Sequence, residues 1–283
     1  MFGFFKNNNY FCSMGDSWYR TKQLLEDYLK LQLHEEIDYE KFYLYSIIAH
    51  STAIEGSSLT ELDTQLLLDD GITAQGKPLV DHNMNNDLYH AYQYAYSCAE
   101  RHETVTTDLL KAFNAHVMKT TGTIMNTMAG TYDSSKGDFR LQSVRAGAEG
   151  PSYMDYRKVP VRTEELCQQL QERLGKAKTL EEKYNLSFDA HLNLVTIHPW
   201  VDGNGRTSRL LMNYIQKYFD LVPTKVFVQD KEKYIQALVK AREEENPHCF
   251  RLFMQQQLNK SLKIDLQQHE KSINQSKGFH LLF

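Results

Sequence analysis

The sequence predicts a mainly α-helical protein with one small β-hairpin. Apolar residues recur at helical spacing through most of the chain. Four of the six prolines (Pro78, Pro151, Pro160 and Pro223) fall between those periodic segments, where a chain ends a helix rather than continues it. Only one stretch, residues 121–160, departs from this rhythm, and it carries Gly122, Gly130, Gly137, Gly147 and Gly150.

Helical spacing begins at residues 18–33 and returns at 39–55, where Gly56 is a natural stop. It continues through 88–98 and 109–118. In the glycine-punctuated stretch, the β-prone pieces 139–144 and 153–159 predict the two arms of a hairpin. So long an irregular segment inside a helical domain points to function. Helices are expected again at 161–174, 180–197, 204–219 and 231–245. From residue 263 the chain is polar until its last few residues, which predicts a loosely held tail. The expected organisation is an N-terminal helical segment (1–36), a main domain (37–262) that includes the helix at 39–56, and a tail (263–283).

Composition excludes several classes. Hydrophobic residues make up 41% and charged residues 24%, as in ordinary globular proteins and unlike disordered or collagen-like chains. A net charge of −4 supplies no global positive field for nucleic acid, so any anion site must be local. Cys12, Cys98, Cys167 and Cys249 form no CxxC spacing and read as free thiols in a reducing compartment. His50, His82, His90, His102, His116 and His248 make no zinc pattern with nearby Cys or Asp. No stretch approaches the roughly 20 apolar residues of a membrane helix, and the N-terminus lacks a basic start followed by an apolar core. The expected location is cytoplasmic.

The densest chemistry lies in His198-Pro199-Trp200-Val201-Asp202-Gly203-Asn204-Gly205-Arg206-Thr207-Ser208-Arg209. Pro199 disfavours helical geometry at His198, so one helix ends there. Gly203-Asn204-Gly205 accept strained backbone and can gather amide N–H groups into an anion nest. The next helix starts at this point and adds its unpaired N–H groups and dipole. Arg206 and Arg209, three residues apart, share a face with Asn213, while Leu211, Tyr214, Ile215 and Tyr218 form the core stripe. Two guanidiniums beside a nest suit a polyphosphate. Asp202 would repel phosphate unless a divalent cation such as Mg²⁺ bridged the two. His198 beside a polarised phosphate is suited to take a proton at neutral pH. Taken singly, each residue has a plain structural reading; in this order at a helix start they point to nucleotide chemistry.

This segment resembles the signature of the Fic family, H-[PF]-x-x-[DE]-G-N-G-R-x-x-R, with Trp200 where the family usually has Phe. The resemblance runs from about Ser46 to Met254 and includes Gly137-Asp138-Phe139-Arg140, Val159-Pro160 and Tyr234-x3-Leu238. It implies a Fic-type helical domain with a β-hairpin flap near the active site. It also implies a protein adenylyltransferase, which moves AMP from ATP to a Ser, Thr or Tyr hydroxyl of a target protein. On matching positions His198 would be the base, Asp202 would hold Mg²⁺, and Gly203, Asn204 and Gly205 would cradle the α- and β-phosphates. Arg206 and Arg209 would hold the β- and γ-phosphates. A branch that phosphorylates instead carries a Lys in the anion loop; Gly203 and Gly205 here favour AMP transfer.

A second piece, Ser51-Thr52-Ala53-Ile54-Glu55-Gly56, ends the helix at 39–56. A carboxylate in a last turn faces the negative end of the helix dipole and costs some tenths of a kcal/mol, so Glu55 would be better placed beside a cation. The piece resembles the family's inhibitory motif, [ST]-x-x-x-E-[GN], through Ser51, Glu55 and Gly56. The resemblance implies that Glu55 pairs with Arg209, blocks the γ-phosphate position and autoinhibits the enzyme. In some relatives this glutamate also helps remove AMP from the target.

Residues 144–156 correspond by position to the flap, where Tyr153 or Met154 would press on target or nucleotide; an ordinary surface loop is the alternative. Tyr234 is expected near the adenine, and Arg242 stands where relatives often have Asn. His191 either supports the site or is a core histidine. The expected partners are ATP and a target protein, with self-modification and homo-oligomers implied by the family, and with neither nucleic acid nor membrane. Two other readings keep the site: a transferase using another donor such as UTP, and a nucleotide sensor with little turnover.

Overall fold

A computed structural model describes residues 18–32, 39–145 and 152–279, with side chains described to residue 271. The helices are α1 (Trp18–Lys30), α2 (Tyr39–Ile54), α3 (Glu61–Asp70), α4 (Leu79–Glu100), α5 (Thr107–Val117), α6 (Val159–Leu174), α7 (Leu180–Ile197), α8 (Asn204–Tyr218), α9 (Lys231–Glu243) and α10 (His248–Phe279). Among the described residues one antiparallel hairpin joins β1 (Ile124–Thr127) to β2 (Gly130–Asp133), with Ile124 opposite Asp133 and Thr127 opposite Gly130. The protein is mainly α, as the periodicity implied.

Local chemistry explains most boundaries. Thr179 and Glu182 form a reciprocal capping box that starts α7, and Thr106 caps α5. Pro160 stands in the first turn of α6, where its missing N–H costs nothing. Two elements go beyond the apolar pattern. Helix α3 rests on the Thr60–Asp63 capping box and a left-handed Gly71 at its end. Helix α4 begins nine residues before the expected 88 because its first turns bury polar residues, which hide the periodicity. There Asn85 donates to the Asp81 carbonyl and accepts from Thr52 and Thr64.

The hairpin is displaced from its expected place. Residues 139–144 and 153–159 are not strands; an Arg145–Ser152 bridge, a Tyr153 N–H to Val144 carbonyl bond (3.0 Å) and the Arg140 guanidinium on the Met154 carbonyl tie this region together. Asp155 instead caps a short 3-10 turn, Tyr156–Lys158, that leads into α6. The expected boundary at 262 falls inside α10, which runs unbroken to Phe279 and buries Leu258 and Leu262. Helix α1 lies against α10, where Gln255 donates to Thr21 (2.9 Å), so the N-terminal helix is tied to the main body. Cys12, and residues 146–151 of the expected flap, lie outside the described residues.

Helix α8 runs through the centre, between α7, α4 and α5. One core gathers Tyr92, Phe113, Trp200, Leu210, Tyr214 and Ile215; a second gathers Phe188, Met212, Tyr234, Phe250 and Phe253. With cores on both sides, α8 is buried all round from Arg206 to Gln216, not along one stripe. Asn213 therefore does not join the arginines at the site. It accepts from Tyr92 (2.7 Å) and donates to Gln216 and the Thr224 carbonyl, tying α8 to α4 and the following loop. No described helix is long and apolar enough to cross a membrane.

Candidate active site

The loop between α7 and α8 is built by its own residues. His198 ends α7 in the left-handed region (φ 53°), with its amide still bonded to Leu194. Such backbone is costly for a non-glycine residue and persists only where surroundings hold it. Trp200 is fully buried, and its indole N–H donates to the Gly137 carbonyl (3.0 Å). Asn204 turns back over the loop, accepting from the Trp200 amide and donating to the Trp200 carbonyl. Its side chain is thus spent on shaping the nest, and only its backbone is left for a ligand. Gly203 adopts φ 77°; a β-carbon there would lie 2.8 Å from both Asn114 Nδ2 and Met118 Sδ. This position requires glycine for conformation and for space.

The two arginines leave the first turns of α8 in different states. Arg206 is 2% exposed, donates to Met118 Sδ (3.2 Å) and lies 3.6 Å from Asp202. Its Nε and Nη1 are buried without a hydrogen-bond partner. Arg209, equally buried, has partners on all three nitrogens. Its Nε donates to Ser51 Oγ (2.8 Å), its Nη2 to the Ser51 carbonyl (2.9 Å) and to Glu55 (2.6 Å), and its Nη1 to the Tyr234 hydroxyl (3.3 Å). Ser51 and Glu55, four apart on α2 and its end, reach one guanidinium because they share a helix face. The Glu55 carboxylate lies so close to Gly205 that a β-carbon there would overlap it. Burial would raise the Glu55 carboxyl, but Arg209, aided by Arg206 and Lys231, outweighs it and holds the group below its ordinary value.

Asp202 points outward, two-thirds exposed, and accepts from the Gly203 amide (2.6 Å). Beside a nest and two guanidiniums, an exposed carboxylate is the donor type that Mg²⁺ uses when it also takes phosphate oxygens. His198 is half-buried, with Nδ1 facing the Val195 carbonyl (3.4 Å), which leaves Nε2 to accept a proton. Burial chiefly, then the charges of Arg140 and Arg242, pulls its pKa down to about 4, against opposing effects of the Val195 carbonyl and Glu55. The Tyr153 ring stacks on the imidazole at 3.7 Å and 13°, and the Arg242 guanidinium lies over that ring, 5.6 Å from its centre.

Tyr234 is placed differently from expectation. It is buried beneath Arg209, with its hydroxyl between that guanidinium and His191 Nε2 (2.8 Å). It supports the arginine. His191, fully buried and stacked on Phe250, is a core histidine that reaches the site through Tyr234. Sequence reasoning missed Asn114 and Met118 of α5 and its end, which wedge Gly203; nothing local marks them. Arg140 is marked in the sequence only by the Gly137-Asp138-Phe139-Arg140 piece.

Residues 104–216 match the profile of the Fic/DOC family. The chain is 30% identical over 200 residues to "Protein adenylyltransferase Fic" of Drosophila willistoni, and 26% identical over 208 residues to "Protein adenylyltransferase fic-1" of Caenorhabditis elegans. These alignments cover 69% and 70% of this chain and 36% of each relative, so the chain spans little over a third of the curated relatives' length. Its fold is that of a Fic domain containing signaling protein from Bacteroides thetaiotaomicron (TM-score 0.73, 21% identity, 87% of this chain and 94% of that one). Fic-1 from C. elegans is also similar (TM-score 0.68, 19% identity, 89% of this chain and 72% of that one). Residues 104–216 are therefore a domain of the Fic/DOC family.

Proposed function

We propose that this protein is an adenylyltransferase that moves AMP from ATP onto a Ser, Thr or Tyr hydroxyl of another protein, and that Glu55 holds it off. The observation that carries the reading is the contrast between the arginines. Arg206 is buried with two guanidinium nitrogens unpartnered, whereas Arg209 is filled by Ser51 and Glu55. An incompletely bonded buried guanidinium is costly, and phosphate oxygens are the acceptors its geometry matches. The naming of the relatives as protein adenylyltransferases supports the same chemistry.

In the reaction the Gly203–Gly205 amides and Arg206 hold the polyphosphate. Asp202 would hold Mg²⁺, which supplies charge neutralisation across the phosphates. His198 Nε2 accepts the proton of the target hydroxyl. That oxygen bonds the α-phosphorus, the bond from the α-phosphorus to the bridging oxygen breaks, and pyrophosphate leaves. Glu55 opposes this by occupying Arg209 and pressing its carboxylate against Gly205, where a phosphate would lie. The buried thiols of Cys98, Cys167 and Cys249 suit a reducing compartment such as the cytoplasm.

The test is labelling of lysate proteins with α-phosphate-labelled ATP and Mg²⁺. Label is expected from Glu55→Gly and not from Glu55→Gly/His198→Ala. Label from UTP in place of ATP would change the donor, and no label from any nucleotide despite binding would favour a sensor. Gly203→Ala probes the nest: with its β-carbon driven into Asn114 and Met118, ATP affinity by calorimetry is expected to fall at least about tenfold, the worth of one charge-assisted hydrogen bond.

The pH profile follows from His198. With its pKa near 4, the imidazole is neutral over the physiological range. The Glu55→Gly rate should therefore be flat from about pH 6 to 8 and fall only at lower pH, as His198 takes up a proton and ceases to be a base. Removing Glu55 deletes a negative charge that lifts this pKa, which pushes the limb lower still. Initial rates at constant ionic strength would show it, and a limb near 6.5, the ordinary histidine value, would refute it.

A further inference from the structure

Arg140 is fully buried, yet among the described residues it pairs with no carboxylate. Its donors go to backbone carbonyls on both sides of the site. Nε donates to His198 (2.8 Å), Nη1 to Gln142 (2.8 Å) and Nη2 to Met154 (2.5 Å), while its own amide donates to the Pro199 carbonyl (3.0 Å). Gln142 and Met154 flank the Val144–Tyr153 contact, the foot of the flap. His198 and Pro199 are the strained turn that carries the base. One planar guanidinium therefore fastens both arms of the flap and the catalytic turn. Its rigid fork can do this; a lysine, with a single ammonium, cannot hold three fixed directions.

A second contact runs the same way. Tyr153, one residue before Met154, lays its ring on the His198 imidazole, and Arg242 of α9 lies over the Tyr153 ring. The carbonyl of His198 is thus set by Arg140 and its ring by Tyr153, and the place of Tyr153 depends on the Met154 carbonyl that Arg140 holds.

We propose that Arg140 is the positioning residue that locks the foot of the flap, residues 142–145 and 152–154, and the catalytic turn into one unit, so that the foot of the flap sets the place of the His198 base. This rests on the transfer reading only for its kinetic consequence; the positional claim stands without it. Arg140 touches neither nucleotide site residues Gly203–Arg206 nor Arg209, so phosphate binding should survive its loss.

The positional test needs no activity. In protein carrying isotope-labelled histidine, the His198 ring protons should be shifted upfield by the stacked Tyr153, and Tyr153→Ala assigns that shift by abolishing it. Arg140→Gln should abolish it too, although the Arg140 side chain bonds the His198, Gln142 and Met154 carbonyls and not the Tyr153 ring, and α8 amide signals should stay in place. An unmoved His198 signal in Arg140→Gln would overturn the proposal. Should Arg140→Gln fail to fold, hydrogen exchange of the unaltered protein decides: the Arg140 and Tyr153 amides, bonded to Pro199 and Val144, should share one protection factor. A difference beyond about tenfold, one step of the affinity scale, would refute a single unit.

The kinetic arm uses the Glu55→Gly background, α-labelled ATP and lysate proteins as acceptors. Arg140→Gln is expected to leave the ATP dissociation constant within about twofold and to lower the transfer rate by about 100-fold, as displacement of a catalytic group by about 1 Å does. Arg140→Lys should recover little. A rate that falls only in proportion to ATP affinity would mean a merely structural arginine. Absence of transfer in Glu55→Gly itself, with the His198 shift behaving as stated, would refute the transfer reading and leave the positional one intact.

Discussion

Glu55→Gly is expected to raise AMP transfer by about 30- to 150-fold. The figure comes from the Glu55–Arg209 pair. Removing one partner of a buried ion pair costs about 3–5 kcal/mol. The Glu55 side chain is 34% exposed, so solvent screening reduces this to about 2–3 kcal/mol. At about 1.4 kcal/mol per tenfold, that energy is the bias which the inactive arrangement loses. The substitution falls just after α2 ends at Ile54, before the left-handed Gly56, so a glycine costs the helix little. It also leaves Arg209 buried with only Ser51 and Tyr234 as partners. ATP should therefore raise the melting temperature of the variant more than that of the wild type, because the γ-phosphate replaces the lost carboxylate. Equal transfer rates and equal ATP-induced shifts in the two proteins would refute the lock.

His198→Ala in the Glu55→Gly background is expected to lower transfer by about 10²- to 10⁴-fold, the usual contribution of a positioned general base. ATP affinity should change little, since in the proposed reaction the phosphates would be held by the nest and by arginines that His198 does not contact. The imidazole is half-buried at the surface of the turn, and its removal leaves the Trp200 and Asn204 bonds that shape the loop untouched. Parallel measurement of ATP binding and initial rate separates the two effects. A loss of affinity matching the loss of rate would make His198 a binding residue.

Glycine and proline punctuation, with the run from His198 to Arg209, made the helices and the anion nest legible in the sequence. Those features depend on neighbours a few residues away: Pro199 ends α7, Gly203 turns the chain, and Arg206 and Arg209 emerge from the first turns of α8. The hairpin was misplaced because β-propensity at 139–144 and 153–159 competes with the Asp155 cap and with the fixed bonds of Arg140. The start of α4 was hidden because its buried polar residues satisfy one another across α2 and α3.

The sequence by itself determined the mainly helical class, the nest and the chemical types of its side chains, because each follows from residues within one or two turns of one another. The tertiary structure alone decided who meets whom. Glu55 and Ser51 reach Arg209 across more than 150 residues, Arg140 reaches the His198 carbonyl across 58, and Tyr234 enters from α9 to support Arg209. Asn213 shares a helix with the arginines yet turns into the core, because α8 is packed on every side. Such pairings depend on how helices stack, and helix packing is set by the shape and burial of whole faces, which a linear pattern does not encode.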